Sequence, residues 1–461
     1  MNNTIIKKQG YSLMIVLLFL TPISSFTYSI QVENNYNTEK SLQSHVIKNV
    51  PYVGWETDFD CELVSFATLY LYLGINYTYH DLFYLCGAGY SHASRPKANG
   101  PRVWPPTPPF KSYIDPGAIV CFWKQDISFL CDIFGLNYSI KYNYSKKINY
   151  SEGWEEYWER VKNYIKNDQP VWTTVDVIAL PWWREHFPWA KKMYEKNGLP
   201  GIGGHVIVIV GFNESNKTVC YNDMVNSDSP GYIGEPNINC HYVWMNISDF
   251  KNATSLGGWA YYWDDMPYLT LVLENSCIDP FDKQQALKEV HKRNIGKMKG
   301  WNNSVYDESY QRMYGAFGIE ALKRFINDLR TESMIPRLLF WRFFNMMNQF
   351  IGSDYSFSPF KHINTSIQWI IKEKQLTSEV LLKYANQYPD QYFFTYDGYL
   401  LENETEKWIE FKNKLIMLIE SFNQEDLFIE INELSEIIQE MSDIVTDIIE
   451  IEKRILAKSN V

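Results

Sequence analysis

Asp58-Phe59-Asp60-Cys61-Glu62 stands immediately ahead of an apolar run that begins at Leu63. Leu63, Ala67 and Leu71 recur at helical spacing, so a helix is expected from Cys61 to about Leu73, with Gly74 as its C-terminal stop. Asp58 or Asp60 is placed to cap that helix by accepting hydrogen bonds from its first free N–H groups. Cys61 then falls in the first turn, where unsatisfied N–H groups and the positive dipole end favour a thiolate and lower the thiol pKa. The two adjacent carboxylates oppose that effect. Two readings therefore stand at this point: an activated nucleophile, or a buried or disulfide-bonded cysteine.

Upstream of this stretch, Lys7 and Lys8 precede the apolar run Leu13 to Leu20, followed by Thr21-Pro22 and the small residues Ser24 and Ser25. This reads as a signal peptide over residues 1–26, which makes the protein secreted or extracellular. The apolar core is short for a bilayer, so no stable membrane span is expected after cleavage; retention of the uncleaved segment as a cell-surface anchor is the alternative. Export gives the cysteine count a meaning. Seven cysteines, Cys61, Cys86, Cys121, Cys131, Cys220, Cys240 and Cys277, leave one free if the others form disulfides, and Cys61 is the candidate for the odd one. Asn-x-Ser/Thr triplets between Asn76 and Asn403 offer glycan sites on loops, consistent with an exported glycoprotein.

With 461 residues the chain is long enough for two or three domains, and its net charge of −11 without a basic patch argues against a nucleic-acid partner. Residues 27–50 form a polar lead-in, expected to pack loosely. A first domain spans 51–279. A second short helix is expected around His80 to Leu85, closing at Cys86-Gly87, while seven prolines between Ser94 and Pro116 exclude regular structure there. Trp154 to Lys166 is expected as an amphipathic helix and Val171 to Val175 as a strand. The unbroken apolar run Val206 to Phe212 predicts a central strand covered on both faces, joined by a hairpin to Thr218–Asp223, with a further strand at Tyr268 to Leu273. From Pro280 the periodicity turns helical, giving a helical domain over 280–423 whose first helix runs from Gln284 to a stop at Gly296.

The last segment, 424–461, is an acidic amphipathic helix. Leu427, Ile431, Leu434, Ile438, Met441, Val445 and Ile448 form a heptad stripe, Ile437, Ile444 and Ile451 a second one, and Glu425 to Glu452 contains no Lys or Arg. Such a helix over 424–458 either packs within the chain or binds a protein partner as a coiled coil.

A thiolate nucleophile needs a base and a residue that orients the base. His205 follows Gly203-Gly204 at the start of the central strand and fits the base; Asp223, at the end of the pairing strand, fits the orienter. The order and spacing of Cys61, His205 and Asp223 match a papain-like layout, with a helical half supplying the thiol and a β half supplying base and orienter. Asp176, Glu56 and Trp55 are pocket candidates. No spacing resembles a zinc site, and no metal or other cofactor is expected.

Asp60-Cys61-Glu62 with Leu73-Gly74, Leu85-Cys86-Gly87-Ala88-Gly89, Val175-Asp176 with Leu180-Pro181-Trp182, and Gly204-His205 through Val210-Gly211-Phe212 together resemble the N-terminal domain of the butirosin biosynthesis protein H family. More distantly they resemble papain-like peptidases that process bacteriocin leaders, and the part after Pro280 is similar to the helical domain that often follows in butirosin-type proteins. The resemblance implies an α+β, papain-like fold followed by an all-α domain, and acyl transfer through a cysteine thioester, with Cys61 as nucleophile, His205 as base and Asp223 as orienter. A peptide or small amide is the implied substrate. Two positions depart from the leader peptidases: Glu62 replaces a glycine after the cysteine, and Trp55 stands where those enzymes carry a glutamine, six residues before it, that helps to stabilise the oxyanion. The alternative function is a catalytically inactive papain-like scaffold that binds or assembles other molecules outside the cell.

Overall fold

The computed structural model describes residues 43–56, 60–96, 112–119, 124–141, 153–197, 204–226, 238–255, 268–275, 282–300, 315–340, 359–423 and 431–458. The signal-peptide reading, Asp58, Cys121, Cys277 and Leu427 lie outside them. The fold is mixed α+β: an antiparallel sheet and its covering helices come first, and long helices follow.

The apolar run of the sequence builds the central strand. Strand β6 (Gly204–Asn213) carries buried side chains from His205 to Phe212, which is possible only if helices cover both faces of the sheet. Its neighbour β5 (Val171–Asp176) shows how. Trp172 donates its indole N–H to the carbonyl of Glu62 in helix α1 (Cys61–Tyr72) at 3.4 Å, while the adjacent Thr173 hydroxyl lies 2.9 Å from Tyr157 in helix α4 (Trp154–Lys166). Successive residues of a strand point to opposite faces, so α1 and α4 sandwich the sheet.

All pairings in this sheet are antiparallel. The order is β4 (Leu136–Lys141), β9 (Thr270–Asn275), β5, β6, β7 (Thr218–Asn222), β8 (Val243–Asn246), with β1 (Ser44–Val46) paired to the far end of β6. The expected hairpin 213–217 joins β6 to β7, and a register shift between Ile209 and Gly211 bends the pair. The strand expected at Tyr268 begins two residues later and inserts between β4 and β5. Within the stretch expected as a loosely packed lead-in, Ser44–Val46 is an edge strand, and Ile47 and Val50 are buried in the core.

The proline-rich stretch is more ordered at its ends than expected. His92–Pro96 (β2) pairs with Ser112–Pro116 (β3), and Ala316–Phe317 (β10) adds a third strand. Pro96 and Pro116 sit at the last positions of their strands, where a missing N–H costs the ladder little; residues 97–111 lie outside the described set.

The helix expected from Gln284 runs as α8 (Lys283–Lys299) and passes through Gly296. It stops at Gly300, whose φ of +100° is a backbone conformation open to glycine and strained for other residues. Helices α9 (Gly318–Leu329), α10 (Pro359–Gln387), α11 (Tyr392–Asn423) and α12 (Ile431–Lys458) follow. Leu434, Ile438, Met441, Val445 and Ile448 of the first heptad stripe, and Ile437, Ile444 and Ile451 of the second, are buried in this chain's own apolar cores, one of which also holds Phe325, Phe411 and Leu415. Ile431 is exposed.

Residues 43–461 form one compact unit. The helices are tied to the sheet-bearing part by buried polar contacts: Glu373 of α10 accepts from the N–H groups of Gly117 and Ala118 at 2.7 and 2.9 Å, and Asp81 accepts from Lys383 and Tyr384, each at 2.9 Å.

Candidate active site

Cys61 is the first residue of α1, as its place after Asp60 led one to expect, but the local chemistry differs from that expectation. Asp60 occupies the cap position without accepting a hydrogen bond from α1. Its carboxylate turns away from the helix: Oδ2 accepts from the Glu56 N–H in the preceding loop at 3.0 Å and from the hydroxyl of Tyr79, beyond the end of α1. The cysteine is buried, and burial pushes its thiol well above the ordinary range, reinforced by the charges of Glu62 and Asp60; the Val206 backbone hydrogen bond to the thiol works in the opposite direction. The expected lowering by the helix end is thus outweighed by desolvation. Glu62 itself is pushed up to about 8 by burial, so near neutral pH this carboxyl is mostly protonated and its negative charge beside the thiol is largely absent.

Helix α1 packs against β6, the strand whose N-terminal end carries His205. His205 pairs with Val175 of β5 at the N-terminal end of β6 and is buried. Val208 pairs with Asn222, so continuing that register by one residue sets Asp223 opposite Ile207. Asp223 is therefore diagonal to His205, a separation that long side chains bridge. The bridge forms: His205 Nε2 and Asp223 Oδ1 are 2.8 Å apart. With Nε2 engaged, Nδ1 is the ring nitrogen left to exchange a proton with a thiol.

Asp223 is fully buried and held from several sides. Its Oδ2 accepts the indole N–H of Trp183 at 2.7 Å, its backbone N–H donates to the Cys240 carbonyl at 2.9 Å, and its own carbonyl accepts the Tyr52 hydroxyl at 2.9 Å. Trp183 lies on the short helix α5 (Pro181–His186), whose first-position proline starts it directly after Leu180. Leu180-Pro181-Trp182, which carries part of the family resemblance, ends one residue before Trp183. Tyr52 carried no signal, because one tyrosine hydroxyl in a loop has no pattern.

Two tryptophans wall the imidazole. Trp55 meets His205 edge-on with ring centroids 5.4 Å apart, Trp183 does so at 5.6 Å, and the two indoles are 6.2 Å from each other. The backbone N–H of Trp55 donates to the Met224 carbonyl at 3.0 Å, which straps the segment before α1 across the end of β7. Gly54 allows this approach, since a Cβ there would lie 2.0 Å from the Asn226 side chain.

The other pocket candidates sit farther out. Asp176 caps a single 3₁₀ turn at Val177–Ala179 by accepting from the Ile178 N–H at 3.0 Å, and its strand partner is Gly204, next to His205. Glu56 binds the His80 ring and lies 2.9 Å from Lys372 Nζ, which together hold its carboxyl down at about 2. Its charge is spent on that outer pair.

Among the described residues the disulfide framework expected around a free Cys61 is not seen: Cys61, Cys86, Cys131, Cys220 and Cys240 are all free and buried. Each of the four besides Cys61 fills apolar space, so the odd count no longer singles Cys61 out. What distinguishes it is its position. Among the described residues, His92, Glu404 and Glu452 bring potential metal-ligand atoms within 4.8 Å of one another. Lys374 Nζ already lies among them, 2.7 Å from Glu404 and 3.2 Å from Glu452, so the four residues form a buried ion network with its own cation. It joins β2 to helices α10, α11 and α12.

Among the described residues no helix is long and apolar enough to cross a membrane. Comparison with curated proteins finds none that matches. The family comparison does not single out the butirosin-type proteins, but residues 47–250, which contain Cys61, His205 and Asp223, match the Peptidase_C39 like family and thereby support a papain-like, C39-like cysteine peptidase-like domain in this chain.

Proposed function

We propose that this protein is an exported cysteine-dependent acyl-transfer enzyme that hydrolyses an amide or peptide bond through a thioester on Cys61. The observation that carries this reading is the His205–Asp223 hydrogen bond of 2.8 Å at the end of β6, the strand against which the Cys61-bearing helix α1 packs. In the first step the thiol proton passes to His205 Nδ1 as the sulfur–carbon bond forms and the carbonyl π pair moves onto oxygen. Collapse of that intermediate breaks the carbon–nitrogen bond, and the leaving amine takes the proton from the imidazolium. Water, deprotonated by the same ring, then attacks the thioester, releasing the carboxylic acid and regenerating the thiol. Asp223 holds the ring orientation throughout and stabilises its protonated form.

Burial of Cys61 suits a thiol that is neutral at rest and is deprotonated as it attacks. The reading of residues 1–26 as an export signal favours hydrolysis over the biosynthetic transfer of the butirosin-type proteins, whose acyl-carrier donors are cytoplasmic. The second reading, an inactive scaffold, draws on the same burial, because an elevated thiol pKa weakens an unassisted nucleophile. Intact-mass analysis after mixing with p-nitrophenyl acetate separates the two. An acetyl adduct mapped to Cys61 and lost in Cys61→Ala supports the enzyme; absence of any Cys61 adduct supports the scaffold.

A further inference from the structure

Acyl transfer at Cys61 needs hydrogen-bond donors for the oxyanion, and the backbone N–H of Cys61, at the open end of α1, supplies one. The second is absent from the place where leader peptidases carry glutamine, since that position is Trp55. Yet Trp55 brings a donor of its own. Its indole N–H, Nε1, is buried and has no hydrogen-bond partner, although indole N–H groups enclosed in protein normally find an acceptor. Burying such a group without a partner costs about 1–3 kcal/mol. The cost is offset when an acceptor arrives with a bound molecule.

We propose that the Trp55 indole N–H is the second oxyanion donor of this site, taking the place of the glutamine amide. Three features support the role. Trp55 is six residues before Cys61, and its ring meets the His205 imidazole edge-on with centroids 5.4 Å apart. The segment is held rigidly by the Trp55 N–H bond to Met224, by the close approach of Gly54 to Asn226 and by the Glu56 N–H bond to Asp60. The indole is donor-only, so the site offers the developing negative charge a fixed dipole with no competing lone pair. In the acylation step the carbonyl π pair moves onto oxygen, and the N–H groups of Trp55 and Cys61 bind that oxygen until collapse returns the pair and expels the leaving group.

The inference rests on the acyl-transfer reading, and two reagents keep the two apart. p-Nitrophenyl acetate reacts through an oxyanion, whereas iodoacetamide alkylates sulfur by displacement and forms none. In Trp55→Phe, which keeps an aromatic ring and loses the N–H, the ratio of Cys61 acetylation to Cys61 alkylation should fall about 100- to 1,000-fold, the alkylation rate reporting any disturbance of thiol and base. Trp55→Gln restores a donor and should recover at least about ten-fold of the acetylation rate over Trp55→Phe. Equal losses with both reagents, or no loss of acetylation, would overturn the assignment. If wild-type Cys61 reacts with neither reagent, the acyl-transfer reading fails, and the Trp55 assignment fails with it.

Discussion

His205 Nε2 and Asp223 Oδ1 lie 2.8 Å apart across two strands, and Asp223 Oδ2 is simultaneously held by the Trp183 indole N–H at 2.7 Å. The Asp223 carboxylate thus has both oxygens committed, one to the His205 ring and one to the Trp183 indole. Burying a polar side chain costs free energy unless its atoms find hydrogen-bond partners, and here each carboxylate oxygen has one.

The parts played by the carboxylate and by its indole donor should be separable by substitution. Asp223→Ala frees the imidazole to rotate and should lower the rate of Cys61 acetylation by about 100-fold or more. Trp183→Phe leaves the His205 contact in place but strands Oδ2, so it should destabilise the fold by about 1–3 kcal/mol in urea unfolding with a smaller effect on rate than Asp223→Ala. A Trp183→Phe protein as stable as wild type would show that this indole bond contributes nothing to holding the carboxylate.

Much of this arrangement was legible beforehand, and for identifiable reasons. The run from Val206 to Phe212 has no polar break, which announces a strand buried on both faces, and the Gly-His start and Asn-Asp end of the two strands mark the edge where His205 and Asp223 meet. Trp183, Tyr52 and the sheet positions of β4 and β8 were not legible. Their roles depend on contacts between residues distant in sequence, such as the 40 positions between Trp183 and Asp223, and no local pattern encodes those. The balance of effects on the thiol was left open for a related reason: a helix start and its flanking carboxylates are visible in sequence, but the desolvation that raises the thiol comes from the tertiary fold.

Glu62 gives the site a pH dependence of definite sign. Burial keeps this carboxyl protonated up to about 8, and on ionising it places a negative charge beside Cys61 that raises the thiol pKa further. Alkylation of Cys61 by iodoacetamide should therefore rise less steeply with pH above about 8 in wild type than in Glu62→Gln, with the two profiles converging below about 7. Measured rates that stay parallel across this range would show that Glu62 does not titrate beside the thiol.

The network of His92, Lys374, Glu404 and Glu452 makes a distinct prediction about stability. Burial works against each charge, but Lys374 holds Glu404 below the ordinary carboxylate range, and the two glutamates hold Lys374 above the ordinary amine range. Lys374→Met leaves two buried carboxylates without their cation and should cost about 3–5 kcal/mol. Thermal and urea unfolding would show it as a large drop in midpoint; a change within about 0.5 kcal/mol would mean that the network carries no net load.

The account depends most on Cys61 being a thiol that His205 activates. The direct measurement is the rate of iodoacetamide labelling at Cys61 near neutral pH, located by mass spectrometry, in wild type and in His205→Ala. The account expects labelling at Cys61 that is faster than at the buried Cys86, Cys131, Cys220 and Cys240, and that falls by at least about ten-fold when the imidazole is removed. Labelling of Cys61 at the same rate with and without His205, or no faster than at the other four cysteines, would contradict it.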